Sequence, residues 1–253
     1  MSYKSDLFKD VLDCFETEEL KLFCIDLLEK RSEINYQIPS STSNKYHNKT
    51  QCLPGGQIYH EIMVGTIMNY LLGLDYLKAK FSQPKKRDCL RIAAIMHDCC
   101  KTNGGKYTVH EHPILGGEFV ENCEVEHDIN PKLKAYISRL IKSHSGQWVE
   151  SKKSKVVLPT PDNDEQFLVH LCDYLGSRSN IDMLYSNELQ EKVSYFAIPE
   201  PESYIMPFGK YKGKSFSSVL SDDKQYLVWL RDMSDMEIQE PLKSLLNKIG
   251  DKI

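Results

Sequence analysis

Eight histidines mark the chain, His47, His60, His97, His110, His112, His127, His144 and His170, and several fall where an imidazole is out of place. In the helical pattern that begins at Ile58, His60 shares a face with Val64, Ile67 and Leu71. The run Leu90, Ile92, Ala93, Ala94, Ile95, Met96 is apolar all round, yet it ends directly in His97 and Asp98. His144 lies on the face of Ile137, Leu140 and Ile141, and Asp173 sits within Phe167, Leu168, Val169, Leu171, Cys172 and Leu175. Four helical segments thus each aim an imidazole or a carboxylate inward. Any one of them alone reads as a hydrogen-bonded core residue. A buried carboxylate costs several kcal/mol unless it is paired or metal-bound, so the joint pattern is resolved most simply by a divalent cation.

Positioning these groups falls to a helical framework. Apolar residues interleaved with charge from Leu7 to Lys30 predict two amphipathic helices. The polar stretch Pro39–Gly56 predicts a loop that ends in a helix start. Further helices are expected over Ile58–Lys80, Asp88–Cys100, Ile114–Cys123, Pro131–His144 and Asp164–Leu184, with almost no strand signal. Lys152–Asn163 reads as a surface loop, Pro199–Pro207 with its three prolines as a linker, and Tyr204–Phe216 as a short hairpin or tight loop. The expected fold is mainly α: a helical bundle over residues 1–198, a linker at 199–206, and a small α or α+β module over 207–253.

The bulk numbers suit that picture. The 253 residues allow one to two domains, and 41% hydrophobic against 27% charged residues exclude a wholly disordered chain. A net charge of -4 provides no global basic field, so any nucleic-acid contact must come from a local patch. The eight cysteines have no paired CxxC spacing and read as reduced, buried thiols. Met1–Asp10 lacks the apolar core of a secretory signal, and Ile62–Leu74 falls short of the roughly 18 residues that span a bilayer. A cytoplasmic protein without a membrane span is the expectation.

His60, then His97 and Asp98, then Asp173, in that order on helices, resembles the HD-domain superfamily of metal-dependent phosphohydrolases. The words HDCCK at His97–Lys101, HPILGGEFV at His112–Val120 and SHSG at Ser143–Gly146 are similar to motifs of that superfamily, as is the approach Pro54, Gly55, Gly56 to His60. The resemblance covers roughly residues 45–185 and departs at Cys99 and Cys100, where a small or aliphatic pair is commoner. It implies that His60, His97, Asp98 and Asp173 ligate a first metal, and that His112 and His144 hold a second with Asp98 bridging. Such a donor mix suits Mn, Fe, Co, Ni or Zn. The implied chemistry is attack of a metal-activated water on phosphorus, with Asp98 and Lys101 as catalytic groups. Lys101, four residues past His97, either reaches the same site or sits solvated at a helix C-terminus. His47 and His110, in polar loops, either contact substrate phosphate or are surface histidines. His127 with Asp128 repeats the letters in a polar loop and is left outside the site, as is His170.

The segment MPFGKYKGKSF at Met206–Phe216 is similar to a module at the C-terminus of some bacterial exodeoxyribonucleases. Lys210, Lys212 and Lys214 alternate with Phe208, Tyr211 and Phe216, which makes either a basic, aromatic patch for a single strand or a small core flanked by solvated lysines. The expected function is therefore cleavage of a phosphodiester in a nucleic acid or oligonucleotide. Removal of phosphate from a dNTP or NMP, or a catalytically silent nucleotide-binding module, are the alternatives.

Overall fold

The computed structural model describes residues 4–41, 45–105, 107–197, 201–202, 204–232, 238, 242–247 and 249. Among them the chain forms 13 α-helices and no strand, with one isolated antiparallel bridge between Ile205 and Ser215. A 3-10 turn at Lys4–Phe8 leads into α1 (Lys9–Leu12), α2 (Glu18–Lys30) and α3 (Ile34–Gln37). Then follow α4 (Gly56–Gly73), α5 (Asp75–Lys80), α6 (Pro84–Met96), α7 (His112–Asn122), α8 (Pro131–Lys142), α9 (Asp164–Gly176) and α10 (Asn187–Ala197). No helix among the described residues is long and apolar enough to cross a membrane.

Local chemistry sets the helix starts. Pro84, Pro113 and Pro131 occupy the first turns of α6, α7 and α8, where no backbone donor is needed. The side chains of Asn130 and Asn163 accept the backbone N–H of Lys132 and Gln166 at the starts of α8 and α9. Several ends differ from expectation. α6 runs from Pro84 to Met96 in place of Asp88–Cys100, because Pro84 favours a helix start and the chain turns at His97. The segment Ile58–Lys80 breaks at Leu74, whose extended backbone separates α4 from α5. The last helix of the bundle core stops at Gly176 and does not run to Leu184, which is fully exposed and has no apolar face to dock. α10 is a helix that the sequence reading lacks; it buries Val193 and Ala197.

At the centre α4, α6, α8 and α9 pack on one another, with α7 against α8 and α2 across α6. Every residue from Gly56 to Gly65 of α4 is buried, the mark of a helix enclosed on all sides. Each fully buried side chain such as Leu90, Ile92 or Ile95 contributes about 1.5–3 kcal/mol of transfer free energy. α7 approaches α8 closely because Gly117 carries no side chain: a Cβ there would lie 2.7 Å from Cγ of Lys142 and 2.8 Å from Oγ of Ser138. At the start of α6, the buried Asp88 accepts the backbone N–H of Thr17 at 2.8 Å and its hydroxyl at 2.7 Å, which ties α2 to α6. Glu16 beside it pairs with Arg87 and Arg91.

A second apolar cluster is built from Met206, Phe216, Val219, Leu227, Leu230 and the buried leucines of the last helix. It involves α11 (Phe216–Asp222), α12 (Lys224–Asp232) and α13 (Leu242–Asn247). The preceding loop closes as a tight hairpin, Met206 N–H donating to the Lys214 carbonyl at 2.8 Å. Of the eight cysteines, all free thiols, Cys24, Cys89, Cys99 and Cys172 are buried; Cys14 is exposed, contrary to the reading of all eight as core thiols.

Candidate metal centre

α4 delivers His60, the turn after α6 delivers His97, Asp98 and Lys101, the first turn of α7 delivers His112, the turn after α8 delivers His144, and α9 delivers Asp173. Six of these side chains converge. Nε2 of His60 lies 3.1 Å from Oδ1 of Asp173, 3.2 Å from Nε2 of His97 and 3.8 Å from Oδ2 of Asp98. Nε2 of His97 is 3.4 Å from that same Oδ2. The other oxygen of Asp98, Oδ1, faces Nε2 of His112 at 3.1 Å and of His144 at 3.6 Å. One carboxylate thus divides two sets of imidazoles.

The ring orientations follow from the backbone. Nδ1 of His97, His112 and His144 contact the carbonyls of Ala94, Val109 and Ile141 at 2.8, 2.7 and 2.8 Å. A carbonyl only accepts, so the proton of each neutral ring sits on Nδ1 and Nε2 presents a bare lone pair. Nε2 of His112 and Nε2 of His144 nevertheless face each other at 3.3 Å, with a carboxylate oxygen alongside. Lone pairs held this close repel unless positive charge lies among them. His60 adds a buried Nδ1 with no hydrogen-bond partner. Imidazole and carboxylate donors converging in this way fit a divalent cation, and the triads His60, His97, Asp173 and His97, Asp98, His144 each have the spacing to hold one.

Electrostatics agrees. Burial opposes charge on His97, yet Asp98 and Asp173 hold its pKa well above the ordinary value, so positive charge is favoured between the ring and the two carboxylates: a proton on Nε2 supplies it in the metal-free site, and a cation bound there would displace that proton. Against the same burial, Lys101 and His97 hold the Asp98 carboxyl well below its usual range, and His60 and His97 do so for Asp173. Burial, then His97 and His112, push His144 down to about 3, leaving it neutral and ready to donate a lone pair. Lys101 lies within the site, its Nζ 2.5 Å from Oδ2 of Asp98 and 3.3 Å from Oγ of Ser40.

Other residues singled out from the sequence separate into near and far. His47 is no surface histidine: its ring lies 5.1 Å from that of His60, Nδ1 is 2.7 Å from Oε1 of Gln51, and burial with His60 and Lys101 lowers its pKa to about 4. His110 serves as a loop staple, Nε2 lying 3.2 and 3.1 Å from the carbonyls of Val149 and Val156. His127 pairs with Asp26 outside the site. Lys210 pairs with Asp223 at 3.1 Å, and neither it nor Lys212 or Lys214 lines the cavity described next. Phe216 belongs to the small core.

A cavity of about 520 Å³ opens on the cluster. Besides the converging groups, its wall includes Ser40, Tyr46, Trp148 and Arg178, none of which the sequence pattern singled out. The Arg178 guanidinium lies 4.2 Å from the Tyr174 ring and 5.4 Å from that of Tyr46, while Trp148 stacks on Tyr174 at 5.9 Å with an 11° interplanar angle. Beneath the cluster, Arg31 and Glu61 form a fully buried pair at 2.6 Å. Gln57 donates to Glu61 at 3.0 Å and contacts Oδ2 of Asp98 at 3.3 Å, which continues that pair to the site.

Residues 58–177 match the family model described as HD domain, and residues 206–232 match the model described as exodeoxyribonuclease X-like C-terminal. The chain therefore carries an HD domain, which implies a metal-dependent phosphohydrolase, followed by an exodeoxyribonuclease X-like segment. No curated protein and no solved structure matches the chain.

Proposed function

We propose that this chain is a phosphodiesterase that cleaves a nucleic acid or oligonucleotide. The observation that carries the reading is the division of the Asp98 carboxylate, Oδ2 toward His60 and His97 and Oδ1 toward His112 and His144, at the floor of an open cavity. In this reading His60, His97, Asp98 and Asp173 hold one divalent ion, and His112 and His144 hold a second with Asp98 between. The ions, when bound, supply Lewis acidity and a water acidified for in-line attack on phosphorus. The chain's own groups do the rest. Lys101, beside Asp98, offsets charge on a phosphoryl oxygen, and the Arg178 guanidinium meets a phosphate at the cavity wall. Residues 207–253 act as a separate module after a linker at 199–206, with Lys212 and Lys214 available to a strand.

The experiment is hydrolysis of labelled single-stranded DNA and RNA, cyclic dinucleotides and dNTPs, with Mn and with EDTA, beside Asp98→Ala. Metal-dependent strand cleavage that is lost in the variant supports the reading. Phosphate release from dNTPs alone points to a nucleotidase, and metal binding without turnover of any substrate to a silent nucleotide-binding module.

A further inference from the structure

The cavity over the cluster does not end at Trp148. A second cavity, about 480 Å³, adjoins it and shares four wall residues with it: Thr108, His112, Ser145 and Trp148. One of the four, His112, is itself part of the cluster and lies 3.1 Å from Oδ1 of Asp98, so the two spaces meet beside His112 at the edge of the cluster. Each space falls within the few-hundred-Å³ range of small-molecule sites.

The two spaces carry matching chemistry. The first has Arg178 and Tyr46 in its wall, the second Lys153, and neither cation is ion-paired to a carboxylate among the described residues. Lys153 belongs to the exposed run Lys152, Lys153, Lys155, in a loop that the His110 staple and the Ser154 hydroxyl bond to Glu111 hold against α7. Glu111 also lines this second space; its Oε1 accepts from that hydroxyl and the carboxylate keeps its charge, so the cation offered to a phosphate here is Lys153, on the exposed lysine run. The indole of Trp148, 52% exposed, stands at the boundary as a large flat surface. Aromatic rings beside a cationic track are what the alternating bases and phosphates of a single strand require.

We propose that the two cavities are two nucleoside subsites of one groove, with Trp148 as the stacking wall at their boundary, so that the substrate is a phosphodiester flanked by a nucleoside on each side. A dinucleotide or longer single strand fills such a groove; a mononucleotide fills half of it. The proposal rests on the phosphohydrolase reading for the position of the reacting phosphate, over His112 and Asp98, but its test does not depend on turnover.

Trp148 and Trp229 are the two tryptophans of the chain, so in the full-length Trp229→Phe protein the indole fluorescence reports Trp148 alone. Titration with dithymidylate joined by a non-hydrolysable phosphonate, and separately with thymidine monophosphate, measures the two affinities. The expected result is quenching by both, with the dinucleotide bound at least about tenfold more tightly, as one extra stacked base provides. Competition against a fluorescent dinucleotide extends the test to variants without the indole. Trp148→Ala and Lys153→Glu should erase most of the tenfold preference, and Trp148→Phe should retain it. Equal affinity for the two ligands, or a preference that survives Trp148→Ala, overturns the proposal. If the dinucleotide preference holds while no phosphodiester is hydrolysed with any metal, the phosphohydrolase reading fails and the groove stands.

Discussion

Gly146 stands so close to His170 that a Cβ on residue 146 would lie 2.2 Å from Cε1 of the imidazole. Its backbone also has φ of +62°, a conformation that L side chains rarely adopt. The ring it makes room for points Nδ1 at the carbonyl of His144, 2.8 Å away. The glycine, the histidine of α9 and the histidine of the cluster therefore form a chain of contacts in which the first link tolerates no side chain.

Gly146→Ala is accordingly expected to displace His170 and loosen His144. If His144 holds metal as proposed, loss of a contact that supports it should cost about 10- to 100-fold in metal affinity. Left-handed strain adds about 1–2 kcal/mol of destabilisation. Calorimetric titration with Mn and a thermal melt read the two effects; wild-type affinity in the alanine variant would show that His170 does not position His144.

Asp98→Ala removes the carboxylate on which both imidazole sets converge and leaves the Lys101 ammonium, 8% exposed, without its partner. Turnover should fall by on the order of a thousandfold. For the wild type, Mn at a hundred times its dissociation constant stabilises the fold by about 2.7 kcal/mol, and EDTA reverses the shift. In the variant that Mn-dependent rise in melting temperature should be largely lost, with a lower metal content by elemental analysis.

Glu61→Ala strands Arg31 in the core, since neither side chain of the pair is exposed. Breaking a buried pair from one side costs about 3–5 kcal/mol. The Arg31 guanidinium also stacks over Tyr36 at 4.1 Å, an attraction that remains in the variant and keeps the loss toward the lower figure. Urea denaturation of the wild type and the variant provides the number, with an unchanged slope expected if the denatured states match.

Glu16 sets an acid limit away from the metal groups. Its hydrogen bonds with Arg87, opposed by burial and helped by Arg91, lower its pKa from 4.5 to about 2. A depressed carboxylate pKa contributes stability that is present above the unfolded value and is lost as pH falls through the folded one. With its side chain 32% exposed, screening trims the contribution to about 1–2 kcal/mol. Glu16→Gln should therefore melt several degrees lower than wild type at pH 6, and the gap should close as the pH approaches 2.

Much of this was legible in sequence because helical periodicity exposes a polar residue on an apolar face. His60 inside α4, His97 and Asp98 at the end of α6, and Asp173 inside α9 stood out in that way. His112 did not: it opens a helix and shares no apolar stripe, so only the resemblance of the surrounding word pointed to it. His170 lies outside the site in the sequence reading, and the structure shows it beside His144, bound to a backbone carbonyl, a kind of partner that leaves no trace in side-chain pattern. Tyr46, Trp148 and Arg178 meet from segments far apart in the chain, and no local spacing links them. The C-terminal lysines look alike in sequence, yet Asp223 engages Lys210 through a contact made only when the hairpin folds onto α12's start.

The buried Asp88 stands in the second turn of α6 and fastens the N-terminal helices, and the buried Asp98 stands in the turn that follows α6 and serves the imidazoles. Nine residues lie between them, eight of them the remainder of α6, a rod of about 12 Å in which each residue also turns the chain by about 100°. That makes α6 a gauge block. One added or deleted residue between Asp88 and His97 would leave the N-terminal anchor in register and rotate the HD pair about a quarter-turn or more away from its four partners. Evolution of this chain can vary its loops in length, but the tally of residues in α6 is fixed by two appointments it must keep at once.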